Sequence, residues 1–199
     1  MEQKEFQIDY RYLLYHKENF LEEDYLSNLL EWIKIKTFDA ATIIGDNQTG
    51  PKVEKKIRKT DILPLDHLNE SFTNVKHARI LRKKFYELGL EYLNKKNVSN
   101  VTGLKRHVDL QILKYTAGGF YTFHSDYHFS QPRNLSLVYI LNDDFEGGNL
   151  TFYNIEKNIQ IKTKMKKNSI VVFPSNFIFP HTVEPVTKGI RYSCVGWIG

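Results

Sequence analysis

Cysteine is nearly missing from this sequence: Cys194 is the only one in 199 residues. An internal disulfide is therefore excluded, and so is any zinc site built on cysteine thiolates. No apolar run reaches membrane-spanning length, and the opening residues Met1 to Phe6 offer no apolar stretch that could serve as a signal peptide. The expectation is a cytoplasmic protein without membrane contact. Charge of a single sign is scarce as well. Lys and Arg number 28 against 23 Asp and Glu, for a net charge of +5. Spread over lysine-rich surface stretches, that surplus reads as solubility rather than as a nucleic-acid footprint. No internal repeat is present.

Aromatic and β-branched residues are abundant instead. The chain has 13 Phe and 12 Tyr, its hydrophobic fraction is 41%, and it is long enough to bury the core of one domain. Residues 18–35 predict an amphipathic helix on Phe20, Leu21, Tyr25, Leu29, Leu30 and Ile33, with acidic residues toward its start where the macrodipole favours them. A short apolar run, 40–44, ends in the turn signal Gly45-Asp46-Asn47, and the lysine-rich stretch 46–60 reads as an exposed loop. Pro64 and Asp66 introduce a second helix over about 66–96, with Ile80, Leu81, Phe85, Leu88, Leu90 and Leu93 as its apolar face.

Past a break at Asn97 to Gly103, helical periodicity gives way to short β-rich runs: 107–115, 119–125, 134–141, 148–153, 168–173 and 190–197. A helical first half and a meander-like second half predict an α+β fold in which helices buttress one face of a barrel or sandwich. The break near residue 100 then marks a change of layer inside one domain, 1–199, with 1–100 as mainly helical support and 101–199 as the β core.

The chemistry is concentrated in Gly119-Phe120-Tyr121-Thr122-Phe123-His124-Ser125-Asp126, followed by His181 and Arg191. In a strand, residues i and i+2 share a face, so His124 and Asp126 can reach one metal while Ser125 points away. Two imidazoles and one carboxylate are the ligand set of the facial triad that holds Fe(II) with adjacent positions open. A second His-x-Asp, His107-Val108-Asp109, shows that the dipeptide pattern alone is weak. Lying upstream of the tyrosine–glycine block, it reads as an ordinary strand pair.

Residues 110–199 resemble the prolyl-4-hydroxylase-like branch of the Fe(II)/2-oxoglutarate oxygenases. The resemblance rests on Tyr115-x-x-Gly118 with Tyr121-x-x-His124-x-Asp126, on Arg133 through Asn142 followed by Gly147-Gly148-Asn149-Leu150, and on His181 with Arg191 through Trp197. A fainter likeness upstream involves Arg58-Lys59-Thr60. The resemblance implies a double-stranded β-helix (a jelly roll, or cupin-like barrel), Fe(II) held by His124, Asp126 and His181, and 2-oxoglutarate chelating the iron with its far carboxylate on Arg191. Dioxygen would convert 2-oxoglutarate to succinate and carbon dioxide while the substrate is hydroxylated, with ascorbate as an auxiliary reductant.

Within that frame Ser193 and the Tyr115 phenol can add hydrogen bonds to the far carboxylate, and Leu150 can pack on the methylenes; core roles explain Tyr115 and Leu150 equally well. Where part of the family has a cosubstrate-binding tyrosine this chain has Ile140, and Tyr139 alternates to the other face. His128, Tyr127 and the acidic loop 143–146 are expected around the mouth, with Tyr121 and Trp197 as further candidates for substrate contact. A prolyl residue in a peptide or protein is the leading substrate by resemblance; other peptidyl side chains and free amino acids are alternatives. Nucleic acid is disfavoured because no second arginine follows Arg191. The rivals from other classes are a jelly-roll metal-binding or scaffold protein without redox turnover and a zinc hydrolase on the same three ligands.

Overall fold

The computed structural model describes residues 9–44, 51–65, 71–100, 102–104, 107–128, 133–157, 160–163 and 166–199. The turn signal at 45–47, the first part of the 46–60 stretch and the start of the helix expected from 66 lie outside them. In chain order the elements of the first half are β1 (Tyr15–Lys17), α1 (Glu23–Lys34), β2 (Asp39–Ala40), β3 (Ile43–Ile44), β4 (Pro51–Lys52), β5 (Arg58–Lys59), β6 (Asp61–Pro64) and α2 (Phe72–Lys95). The second half is all strand: β7 (His107–Tyr115), β8 (Phe120–His124), β9 (Leu135–Ile140), β10 (Phe145–Gly147), β11 (Leu150–Tyr153), β12 (Gln160–Thr163), β13 (Ser169–Pro174), β14 (His181–Val183), β15 (Val186–Gly189) and β16 (Arg191–Ile198).

Two sheets dominate. A seven-stranded sheet runs β1-β13-β9-β16-β7-β6-β2, and a five-stranded sheet runs β12-β11-β14-β8-β5. The pairings within both are antiparallel. The larger sheet is covered on both faces, which explains why β9 and β16 read as unbroken buried runs rather than as alternations. One face, carrying Leu110, Ile112, Leu137, Tyr139, Ile170, Val172 and Cys194, packs on the helices. The other, carrying Tyr115, Val138, Ile140, Phe173, Val195 and Trp197, meets Leu150, Phe152 and Val183 of the smaller sheet. Helices, large sheet and small sheet form three layers of an α+β jelly roll. The described strands make separate facing sheets rather than one continuous closed barrel.

α1 is shorter than its periodicity suggested. α1 starts at Glu23; Phe20 and Leu21 precede it, tied to the start of β13. The Asn168 side chain accepts from the Leu21 N–H and the Tyr139 hydroxyl and donates to the Leu21 carbonyl. α2 buries His77, Leu81, Phe85, Leu88, Gly89 and Tyr92, whereas Leu90 is exposed and Ile80 only partly covered. Burying each large apolar side chain of this face contributes about 1.5–3 kcal/mol. α2 ends where the break was expected, with Asn97 at φ 55° and the Val98 N–H returning to the Leu93 carbonyl.

The first hundred residues are more than helical support. β1, β2 and β6 extend the large sheet, and β5, inside the stretch read as a loop, forms an edge of the small one. Strands of two residues leave no periodicity to detect; they form because a neighbouring strand supplies the partners.

Candidate metal centre

The two imidazoles meet by register. β14 pairs with β8 so that His181 lies directly opposite His124, and side chains directly opposite in an antiparallel pair stand close together on one face. β8 ends at His124, and the chain carries Asp126 one step further along the same wall. Ser125 also borders the cavity, contrary to strict alternation, because the chain has left the strand by then. Ligand atoms of His124, Asp126 and His181 lie within 4.8 Å of one another. The His124 Nε2 is 3.7 Å from Asp126 Oδ1 and the His181 Nε2 is 3.8 Å from Asp126 Oδ2.

Both histidines are set up as ligands in the same way. His124 Nδ1 lies 2.7 Å from the Thr122 carbonyl and His181 Nδ1 lies 3.0 Å from the Phe179 carbonyl. A carbonyl can only accept, so each Nδ1 carries the proton and each Nε2 keeps its lone pair for a metal. Burial, then the proximity of His181, holds the His124 pKa below its ordinary value. Burial alone would raise the Asp126 carboxyl; His181 and then His124, aided by Ser136 and Trp197, more than offset it and keep the group below the usual carboxylate range. Neutral imidazoles and an ionised carboxylate are the states in which these groups bind a divalent cation. Nitrogen and oxygen donors in a set of three suit Fe(II) with open positions.

The triad stands in the wall of a cavity of about 840 Å³, bordered also by Tyr115, Leu150, Arg191, Ser193 and Trp197. Cross-strand pairing sets Arg191 opposite Tyr115 and, further along the same strands, Trp197 opposite Asp109. Arg191 is 1% exposed. Its Nη1 donates to Ser193 Oγ at 2.9 Å and it sits 5.1 Å from the Tyr115 ring centroid, but its Nε, its Nη2 and the Tyr115 hydroxyl have no hydrogen-bond partner among the described residues. Burial lowers its pKa from the ordinary arginine value. A buried cation with unpaired donors beside an unpaired phenol fits a carboxylate. Gly148, at φ +63°, makes room here, since a Cβ on it would lie 2.9 Å from Arg191 Cδ.

Ile140 pairs with Ser193 and is buried between the sheets, while Tyr139 alternates to the helix side and bonds Asn168. No tyrosine therefore enters from this strand. Tyr127 and His128 border the cavity as expected. The acidic stretch 143–146 does not. It runs into β10, and Asn142 just before it donates to the Ile190 carbonyl.

Several polar cavity residues escaped the sequence reading or were left without a role. Arg58 reaches in from the edge strand β5. Asp109, Gln111 and Arg133 line the wall past the triad. Counting back from Tyr115 in steps of two puts Leu113, Gln111 and Asp109 on the inward face, a signal available once Tyr115 is known to face inward. The second His-x-Asp is thus a strand segment whose carboxylate pairs with Arg133.

Comparison with known proteins agrees with this geometry. Residues 110–199 match the 2OG-Fe(II) oxygenase superfamily. A PKHD-type hydroxylase of Synechococcus sp. (strain CC9902) is 34% identical over 99 residues, 48% of this chain and 43% of that protein. Another, from Synechococcus sp. (strain CC9311), is 33% identical over 129 residues, 62% of this chain and 57% of that protein. The chain spans about half the length of the curated relatives it matches. Among solved structures, a Pseudomonas putida prolyl-4-hydroxylase superposes with a TM-score of 0.68 at 22% identity, covering 94% of this chain and 92% of that one. A Trichoplax adhaerens prolyl hydroxylase in complex with a hypoxia inducible factor peptide fragment does so with 0.71 at 18%, covering 94% and 83%. At these identities the superpositions show the jelly-roll fold.

Proposed function

We propose that the chain, whose residues 110–199 match the 2OG-Fe(II) oxygenase superfamily, is an Fe(II)- and 2-oxoglutarate-dependent dioxygenase of the prolyl-4-hydroxylase-like branch that hydroxylates a prolyl residue in a peptide or protein. One observation carries the reading: a fully buried arginine with unpaired donors stands in the same cavity as a His/Asp/His ligand set. A zinc hydrolase has no use for such an arginine.

In this reading His124, Asp126 and His181 hold the metal, with both Nε2 lone pairs already directed by the backbone carbonyls behind them. Arg191 takes the far carboxylate of 2-oxoglutarate through its free Nε and Nη2, with Ser193 steadying the guanidinium and Tyr115 adding its hydroxyl. Leu150 packs on the methylenes. Bound there, Fe(II) and 2-oxoglutarate supply the activation of dioxygen, with 2-oxoglutarate oxidised to succinate and carbon dioxide as a substrate C–H bond becomes C–OH. The chain's own part is to hold cosubstrate and substrate in reacting position and to keep bulk water from the buried floor. The reading takes residues 1–199 as one domain, which is supported by an apolar cluster that joins α1 and α2 to the large sheet. The prolyl acceptor is supported by the names of the hydroxylase relatives and neighbours, and ascorbate stimulation belongs to the same proposal.

The test is anaerobic titration of metal-free protein with Fe(II) and 2-oxoglutarate, followed by admission of oxygen. The expected result is a weak visible charge-transfer band that bleaches as succinate forms. His181→Ala should stay folded by circular dichroism yet show neither band nor succinate. A folded, iron-loaded wild-type protein without the band would overturn the proposal.

A further inference from the structure

Resting on that reading, we infer that the substrate carries a carboxylate close to the carbon that is oxidised and that Arg58 receives it. Arg58 pairs with Tyr121 across β5 and β8, and residues directly opposite in a sheet share a face, so its side chain enters the cavity. The guanidinium lies 4.8 Å from the Tyr121 ring centroid, and that ring stacks on His124 at 3.5 Å with an interplanar angle of 17°. A single aromatic ring therefore separates the cation from a metal ligand. Arg58 Nε is buried without a partner, and among the described residues no carboxylate pairs with Arg58.

Counting charge in the loaded cavity shows what is left over. A divalent metal, Asp126, dianionic 2-oxoglutarate and Arg191 sum to zero. Asp109 and Arg133 form an ion pair, with the Arg133 guanidinium 4.0 Å from the Trp197 ring centroid, and they also sum to zero. Among the described residues Arg58 remains, and Lys52, exposed at the same rim, adds charge of the same sign. The cosubstrate end is neutral once filled, while the substrate end keeps a surplus cation. Desolvating a guanidinium without a partner is costly; an anion arriving with the substrate removes that cost through a charge-assisted, bidentate contact. Stacking on Tyr121 holds the guanidinium in place beforehand, so little freedom is lost when the anion binds. A glutamate or aspartate beside the target residue in a peptide, or the α-carboxylate of a free amino acid, supplies the same chemistry.

Calorimetric titration of the anaerobic Fe(II)–2-oxoglutarate complex tests this with two pairs of probes. Acetyl-Glu-Pro-Gly-amide is compared with its Gln analogue, and L-proline with prolinamide. In at least one pair the carboxylate form should bind roughly ten-fold tighter or more, less so at high salt. The pair that responds identifies the source of the carboxylate. Arg58→Gln should erase the preference and Arg58→Lys should retain part of it, both with wild-type affinity for 2-oxoglutarate. Equal affinities within both pairs for the wild type, or an undiminished preference in Arg58→Gln, would overturn the assignment while normal 2-oxoglutarate binding leaves the oxygenase reading standing. Wild-type protein that binds no 2-oxoglutarate with Fe(II) would overturn both.

Discussion

Arg191 lacks partners for two of its donors although it is almost wholly buried, so in the empty protein it costs stability that an anion restores. Replacing it with methionine, Arg191→Met, keeps most of the volume and removes the charge. The metal-free variant should be about 1–3 kcal/mol more stable than wild type, while 2-oxoglutarate affinity falls roughly ten-fold or more. Thermal melts with and without Fe(II) and 2-oxoglutarate read both effects. Ligand should raise the wild-type midpoint and leave the variant nearly unmoved; a less stable variant that still responds to 2-oxoglutarate would remove Arg191 from the site. At this scale the sequence was informative about residue types. His124 and Asp126 could be picked out in advance because their spacing carries chemical meaning, and His181, Arg191 and Ser193 because their order resembles that of an oxygenase family. Arg58 and Asp109 could not be placed, since an arginine in a polar stretch and an aspartate in a strand have many ordinary uses.

Between elements, the close approach of α2 to the large sheet depends on Gly89. A Cβ there would lie 2.8 Å from Ile198 Cδ1 and 2.9 Å from Leu104 Cδ1. Those are the far ends of flexible side chains, so alanine can be absorbed by small movements, but the two further methyls of valine have nowhere to go. Gly89→Val should destabilise by about 1–3 kcal/mol through overpacking, seen as a lower denaturant midpoint at unchanged slope. Because α2 packs on the face away from the cavity, Fe(II) and 2-oxoglutarate affinity should not change, and a loss of either would contradict the layering. Periodicity revealed both helices, but the start of α1 and part of the covered face of α2 differed from expectation. Leu90 is apolar and exposed, His77 is polar and buried, and such exchanges are decided by which face the sheet covers. Short strands such as β5 lacked any local signal.

For the molecule as a whole, acid should act in two stages. His77 and His124 both have pKa values held below 6.5, each chiefly by burial. A base with a depressed folded-state value takes up its proton more readily when unfolded, so its contribution is complete above about 6.5 and declines as pH falls further. Glu91 is held at about 2, first by Lys17 and then by Tyr15, and Asp126 also lies below its ordinary 3.8. Their contributions are complete above the ordinary carboxylate range and are lost as pH drops through their folded values. Melts of the metal-free protein should show a midpoint that falls gently below pH 6.5 and steeply below about 4.5, where the carboxylates join. A midpoint that climbs on acidification from pH 7 to 5 would contradict the first stage.

The amino-acid sequence by itself determined the donor set, the α+β class and the likeness to a family of oxygenases. Those depend on residue identity and on spacings of a few positions, where backbone geometry dictates which side chains share a face. Tertiary structure alone decided that His181 faces His124, that Asp109 neutralises Arg133 and that Arg58 reaches the cavity without a partner. The first and last are registers between strands distant in sequence, and the second joins β7 to the segment that leads into β9. Register follows from how two sheets and two helices share a core, so the charge left over at the substrate end became visible only when the other buried charges of the described cavity had found their neighbours.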